Sequence, residues 1–236
     1  MKRRSSKSYL ESDAARGLRL ELEFVNAEAQ IERHGIRHTV IVLGSARAKE
    51  GGAAYRMARE FGRLVGRAGK LAHGSRGAII TGGGPGIMAA ANRGAHDVGT
   101  RSIGLNIILP HEQRPNRWVT PGLCLRFRYF ALRKMHFLLR ARAVAAFPGG
   151  FGTFDELFET LTLVQTRRVK ALPIVLVGEG WWRRAFDADF LAAERMIGAA
   201  DRRIFEYAES AREAWDAIVR WYRRRGQAVF PPARRA

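Results

Sequence analysis

The sequence predicts a doubly wound parallel α/β sheet with helices on both faces and an extra helix at the N-terminus. Three observations carry this expectation. Short apolar runs recur at Thr39–Leu43, 78–80, 102–109, 143–147 and 172–177. Continuous rather than alternating hydrophobicity suits strands covered on both faces. Segments with apolar residues at helical spacing alternate with these runs, as parallel sheets require. Glycine-rich turns lie at the carboxyl ends of the strands, where open α/β sheets bind ligands at a switch in strand order.

The elements follow in order. Residues 1–10 read as a disordered basic tail and 226–236 as a C-terminal tail, flanking one domain over 11–225. Residues 11–33 favour a helix, with Leu18, Leu22, Val25 and Ala29 on one stripe. This helix is expected to cover a sheet edge or a partner subunit. The strand 39–43 runs into Gly44-Ser45-Ala46-Arg47. Met57, Phe61, Leu64 and Val65 then mark a helix over 53–69.

The strand 78–80 enters Thr81-Gly82-Gly83-Gly84-Pro85-Gly86-Ile87-Met88, and a helix of small residues follows through Asn92. After the strand 102–109, prolines at 110, 115 and 121 mark a loop over 110–122. A helix rich in arginine and aromatic residues is expected over 126–141. Beyond the strands at 143–147 and 172–177, Trp181-Trp182 opens a further helix. Residues 204–207 read as a short edge strand, and 210–225 as an amphipathic helix with Ala214, Trp215, Ile218 and Trp221 on one side.

Of the 236 residues, 41 are Lys or Arg and 22 are Asp or Glu, giving a formal net charge of +19. Nine of these charges sit at the two ends, in residues 1–8 and 223–236, leaving about +10 for the remainder. Basic ends suit nucleic acid or phosphorylated metabolites. With neither zinc-finger spacing nor an RNA-binding aromatic signature, a solvated arginine-rich surface is preferred over nucleic-acid binding. No apolar run reaches membrane-spanning length, and the basic N-terminus lacks the apolar stretch of a signal peptide. The single cysteine, Cys124, excludes an internal disulfide and suits a reducing cytoplasm.

The stretch Phe147-Pro148-Gly149-Gly150-Phe151-Gly152-Thr153-Phe154-Asp155-Glu156 sits between a buried strand and a helix. Glycines let backbone approach a ligand closely or adopt positive φ. A helix start offers free N–H groups and the positive end of a dipole, which suit a phosphate. Thr153 is placed to cap the helix, with Glu156 in its first turn. The bland alternative is a tight turn with a Thr cap and a carboxylate facing the helix dipole.

Other ligands fit poorly. A dinucleotide fingerprint needs its glycines after the first strand and an acid about 20 residues on; here the triple glycine follows the second strand. No G-K-[ST] follows either glycine run, so the Walker loop is absent. The six histidines are scattered without metal-ligand spacing. A mononucleotide site with carboxylate and arginine chemistry remains. Cleavage of an N-glycosidic bond develops positive charge on the ribose, which a carboxylate stabilises. An arginine can hold the phosphate or the carboxylate. Glu156 and Arg133 form a workable pair, although Arg133 and Lys134 also read as a solvated helix face.

Pro148-Gly149-Gly150-Phe151-Gly152-Thr153-Phe154-Asp155-Glu156 resembles the P-G-G-x-G-T-x-x-E motif of the LOG family, cytokinin riboside 5′-monophosphate phosphoribohydrolases. Arg133-Lys134 looks like that family's Arg-Lys pair, and 82–88 looks like its second glycine motif. The resemblance runs from about Val40 to Val177. Gly-Leu-Asn at 104–106, Glu112-Gln113 and Phe127-Arg128-Tyr129-Phe130 look like its longer bacterial branch.

The resemblance implies a Rossmann-like fold and hydrolysis of a purine nucleoside 5′-monophosphate, AMP or an N6-prenylated AMP. It implies catalytic roles for Glu156 and Arg133 and phosphate binding by Gly149, Gly150, Gly152 and Thr153. Lys134, Glu112 and Thr162 would line the nucleotide site. Gly83 and Gly84 would shape the pocket, with Met88 near the base. It further implies a homo-oligomer, a dimer or larger. Nothing in the sequence requires a metal or cofactor, and neither glycine loop offers the lysine that pyridoxal phosphate chemistry uses. Asp155 stands where the family motif usually has Glu. The alternatives are a non-catalytic carrier of the molybdenum-cofactor type, and nucleic-acid binding through the basic surface.

Overall fold

A computed structural model describes residues 10–70, 77–108 and 114–232. After a short turn of 3-10 helix, α1 spans Arg16–Arg33. There follow β1 (His38–Leu43), α2 (Ala53–Gly69), β2 (Gly77–Thr81), α3 (Ile87–Asp97), β3 (Ser102–Ile107) and β4 (Cys124–Phe127). Next come α4 (Phe130–Leu138), β5 (Ala141–Ala146), α5 (Phe151–Gln165) and β6 (Ile174–Val177). The chain ends with α6 (Glu179–Ala185), α7 (Ala188–Ala193), β7 (Phe205–Ala208) and α8 (Ala211–Arg223).

The seven strands form one sheet in the order β4-β3-β2-β1-β5-β6-β7, every neighbouring pair parallel. Strand order reverses between β1 and β5. Side chains alternate along each strand, so Val40 and Val42 join one core and Ile41 and Leu43 the other. The first core is closed by α2, α3 and α8 through Phe61, Leu64, Ala91, Trp215 and Ile218. The second is closed by α1, α4, α5 and α6 through Ile31, Phe137, Leu157 and Trp182. This is the expected doubly wound, Rossmann-like architecture with a helix added at the N-terminus.

Several local expectations change. The helix expected over 126–141 is shorter, because β4 takes its first residues by pairing Gly104–Ile107 with Cys124–Phe127, and β5 begins at Ala141. Sheet pairing overrides the helical pattern there. The stripe Leu18, Leu22 and Val25 faces outward. Instead, α1 docks through Leu20, Phe24, Ala27 and Ile31, a second stripe at helical spacing on the same helix. Beyond α8, Val229 and Phe230 are buried, and Arg142 donates to the carbonyls of Ala228 and Val229. The segment read as a tail from 226 therefore packs on the domain through residue 230. The basic residues 1–9 lie outside the described residues. No helix among the described residues is long and apolar enough to cross a membrane.

Candidate active site

The reversal of strand order leaves a crevice at the carboxyl ends of β1 and β5, where such sheets place their ligands. Three turns close around it. Ser45 donates its N–H to the Pro148 carbonyl at 3.0 Å and accepts from the Ile87 N–H at 3.0 Å, so the loop after β1 is tied to both glycine turns. Gly86 is required at its position: its φ is 66°, and a Cβ there would lie 2.2 Å from the Ser45 carbonyl oxygen. The crevice opens as a cavity of about 1140 Å³. Gly44–Arg47, Gly82, Met88, Asn106, Arg133, Pro148–Phe154, Glu156 and Trp181 contribute to its lining.

α5 starts at Phe151, earlier than its apolar pattern suggests. Its N-cap is Gly150, in extended conformation and without a side-chain cap bond. The first amides of a helix have no partner within it, so the α5 N-terminus faces the cavity with open donors and the positive dipole end. Thr153 does not cap this helix; it lies within it, is buried, and donates its N–H to the Gly150 carbonyl at 2.9 Å. Glu156 accordingly falls in the second turn rather than the first. None of Gly149, Gly150 and Gly152 has positive φ. At Gly149 the need is steric, since a Cβ would lie 2.1 Å from Thr153 Oγ1. Around Gly150 and Gly152 there is open space.

Arg133 of α4 donates from Nη2 to Glu156 Oε1 at 2.5 Å. Both side chains are nearly enclosed, 10% and 15% exposed respectively. Burial pushes the Glu156 carboxyl up to about 7, against the pull of the Arg133 guanidinium, with Asp155 adding to the rise. Such a carboxyl changes charge near neutral pH, as acid–base and charge-stabilising groups in active sites do. The Arg133 guanidinium also lies over the faces of Phe130 and Phe137.

The other expected site residues divide. Met88 lines the cavity. Lys134 does not. One residue on from Arg133 it points to another face of α4 and bonds Asp155 at 2.6 Å and Glu159 at 3.4 Å. The carbonyls of Gly83 and Gly84 accept from Asn116 Nδ2, and the Gly83 N–H donates to Thr81 Oγ1, so these two glycines brace the turn behind the cavity wall. Thr162 is exposed on α5, six residues beyond Glu156 and on a different side of the helix. Glu112 lies outside the described residues. Asn106 and Trp181 line the cavity and were not singled out as site residues; Asn106 lies one residue before the end of β3, near the sheet's carboxyl edge, which is the one signal that points to it.

Fold and site together define a Rossmann-like α/β protein with a buried carboxylate–guanidinium pair at the switch point. A family model described as "Possible lysine decarboxylase" matches residues 88–218. The cytokinin riboside 5′-monophosphate phosphoribohydrolase LOG of Oryza sativa subsp. japonica is 31% identical over 188 residues, 77% of this chain and 72% of its own length. The probable phosphoribohydrolase LOG4 of the same species is 30% identical over 139 residues, 57% of this chain and 59% of that one. The chain belongs to the LOG family. Among solved structures, the molybdenum cofactor carrier protein of Chlamydomonas reinhardtii shares the fold, with a TM-score of 0.53 at 22% identity over 77% of this chain and 96% of that one.

Proposed function

We propose that this protein hydrolyses the N-glycosidic bond of a purine nucleoside 5′-monophosphate, AMP or an N6-prenylated AMP, releasing free base and ribose 5-phosphate. The observation that carries this reading is the Arg133–Glu156 pair, set at the cavity beside the open N-terminus of α5. The amides of Phe151 and Gly152 receive the 5′-phosphate. That anchors the ribose with C1′ toward Glu156. As the C1′–N bond breaks, its electrons leave with the base and positive charge grows on the sugar. The Glu156 carboxylate stabilises it and orients the water whose oxygen attacks C1′, one proton of that water being lost to the carboxylate and the base taking one from solvent. Arg133 holds the carboxylate in place and favours its ionised form. A purine nucleotide fits the cavity volume.

The protein works as a homo-oligomer in this reading, and the outward apolar stripe of α1, with Leu18, Leu22 and Val25, offers a surface for a second copy. A single cysteine suits a reducing compartment such as the cytoplasm.

The test is incubation with AMP and with isopentenyl-AMP, followed by chromatography of the products. Free base from either nucleotide is expected, and the ratio of the two rates assigns the substrate. Tight binding of both with no base released would overturn the hydrolase and favour a carrier.

A further inference from the structure

We infer that Glu23, on the N-terminal helix, is a positioning residue for the Arg133–Glu156 pair, because its carboxylate caps the β4–α4 junction and fixes the helix that delivers Arg133 to the cavity. The catalytic meaning of this role rests on the hydrolase reading; its geometry does not. α4 is short, and its N-cap, Tyr129, makes no side-chain cap bond. Neither Arg128 nor Tyr129 has the short polar side chain that caps well. Glu23 supplies what is missing from another helix. Its two oxygens accept from the backbone N–H groups of Arg128 at 3.0 Å and Tyr129 at 3.2 Å. A carboxylate taking the N-cap amide does the work of the acid in a capping box.

The cap bears directly on Arg133. The Arg133 N–H donates to the Tyr129 carbonyl at 3.2 Å, so the turn that carries Arg133 is closed by the residue Glu23 holds. Besides its bond to Glu156, the guanidinium lies over the rings of Phe130 and Phe137, and its buried Nε has no hydrogen-bond partner among the described residues. Its aim therefore depends on where the backbone of α4 sits. The same helix secures that backbone elsewhere. Arg19 donates to the Tyr129 hydroxyl at 3.0 Å, and Glu28 accepts two bonds from Arg140 at 2.6 and 2.8 Å. Glu28 also lies 3.1 Å from His136, whose imidazole burial holds below its usual range. α1 thus grips α4 near both ends, and Glu23 acts at the end that carries Arg133. It lies outside the matched segment 88–218 and outside every motif read in the sequence.

The experiment reads the Glu156 carboxyl directly, by NMR titration of glutamate-labelled protein, with the signal assigned through Glu156→Gln. Facing that carboxyl are Arg133 and Lys134 from α4 and Asp155 and Glu159 from its own helix. The variants are Glu23→Ala, Glu23→Gln, which keeps one acceptor, and Arg133→Ala as the limit of a lost guanidinium. Glu21→Ala, exposed on the same helix, is the control. Expected is an upward move of the Glu156 titration in Glu23→Ala toward that of Arg133→Ala, with Glu23→Gln between and Glu21→Ala unmoved. With hydrolysis measured alongside, kcat falls about tenfold in Glu23→Ala with KM little changed, since small misplacements of a reacting group cost this much or more. A Glu156 titration unmoved in both folded Glu23 variants would overturn the inference. Absence of hydrolysis by the wild type would count against the proposed function alone, because the titration still decides the role of Glu23.

Discussion

Arg133 and Glu156 meet at 2.5 Å although they stand on helices that follow β4 and β5, strands separated in the sheet by β3, β2 and β1. The bond closes one wall of the cavity and partly offsets the rise that burial gives its carboxyl. Glu156→Gln keeps the shape and removes that charge. We expect kcat to fall roughly 10²–10³-fold, the usual loss on removing one charge-stabilising group, while nucleotide affinity changes only a few-fold. Steady-state kinetics with a binding isotherm checks both.

The pH dependence follows from the same residue. Its folded-state pKa, about 7, lies above the ordinary 4.5. Ionised Glu156 is the working form, so kcat should climb as pH rises through about 7. Removing Arg133 removes the pull that lowers this value, so Arg133→Ala should shift the climb to higher pH as well as lowering its plateau. A pH–rate profile unchanged by Arg133→Ala would contradict the pairing.

Stability carries the opposite sign. A carboxyl with a raised folded-state pKa contributes stability that is fully present below about 4.5 and lost as pH rises through about 7. The Tm of the wild type relative to Glu156→Gln should therefore fall across that window. Thermal melts of the two proteins from pH 4 to 8 measure this difference.

Two neighbouring glycines should answer differently to alanine. At Gly149 the new Cβ meets Thr153, so Gly149→Ala should cost roughly 1–3 kcal/mol, as overpacking does. At Gly152 there is space, so Gly152→Ala should leave the fold within about 1 kcal/mol of wild type. Any rise in its KM for AMP then reports lost room for the phosphate. Denaturant melts beside kinetics separate the two effects.

Lys134 faces Asp155 and Glu159 rather than the cavity. Lys134 does not line the cavity, so Lys134→Ala should lower kcat less than tenfold where Arg133→Ala lowers it far more. Equal losses in the two variants would mean that Lys134 reaches the substrate.

The central sheet was legible because β1, β2, β3, β5 and β6 are buried on both faces and carry continuous apolar runs, each ending in a turn or loop. β4 was not: Cys124–Phe127 is four residues long and exposes Arg126, and only its pairing with β3 makes it a strand. α1 misled because it carries two apolar stripes, and periodicity cannot tell which one meets the core. At the site, Gly149 to Glu156 are close in sequence and their nearness is local geometry. The approach of Arg133 depends on where the strand order reverses, which no single segment encodes. Thr162 and Lys134 were expected at the site from the family resemblance alone, and helical rotation turns both away from the cavity.

The most direct test of the catalytic claim is to quantify adenine and ribose 5-phosphate released from AMP in ¹⁸O-labelled water by the wild type and by Glu156→Gln. Equal amounts of the two products are expected from the wild type, with one labelled oxygen in the ribose 5-phosphate and nearly none of either product from the variant. Base release at the same rate by both proteins, or no base from the wild type, would contradict the role given to Glu156.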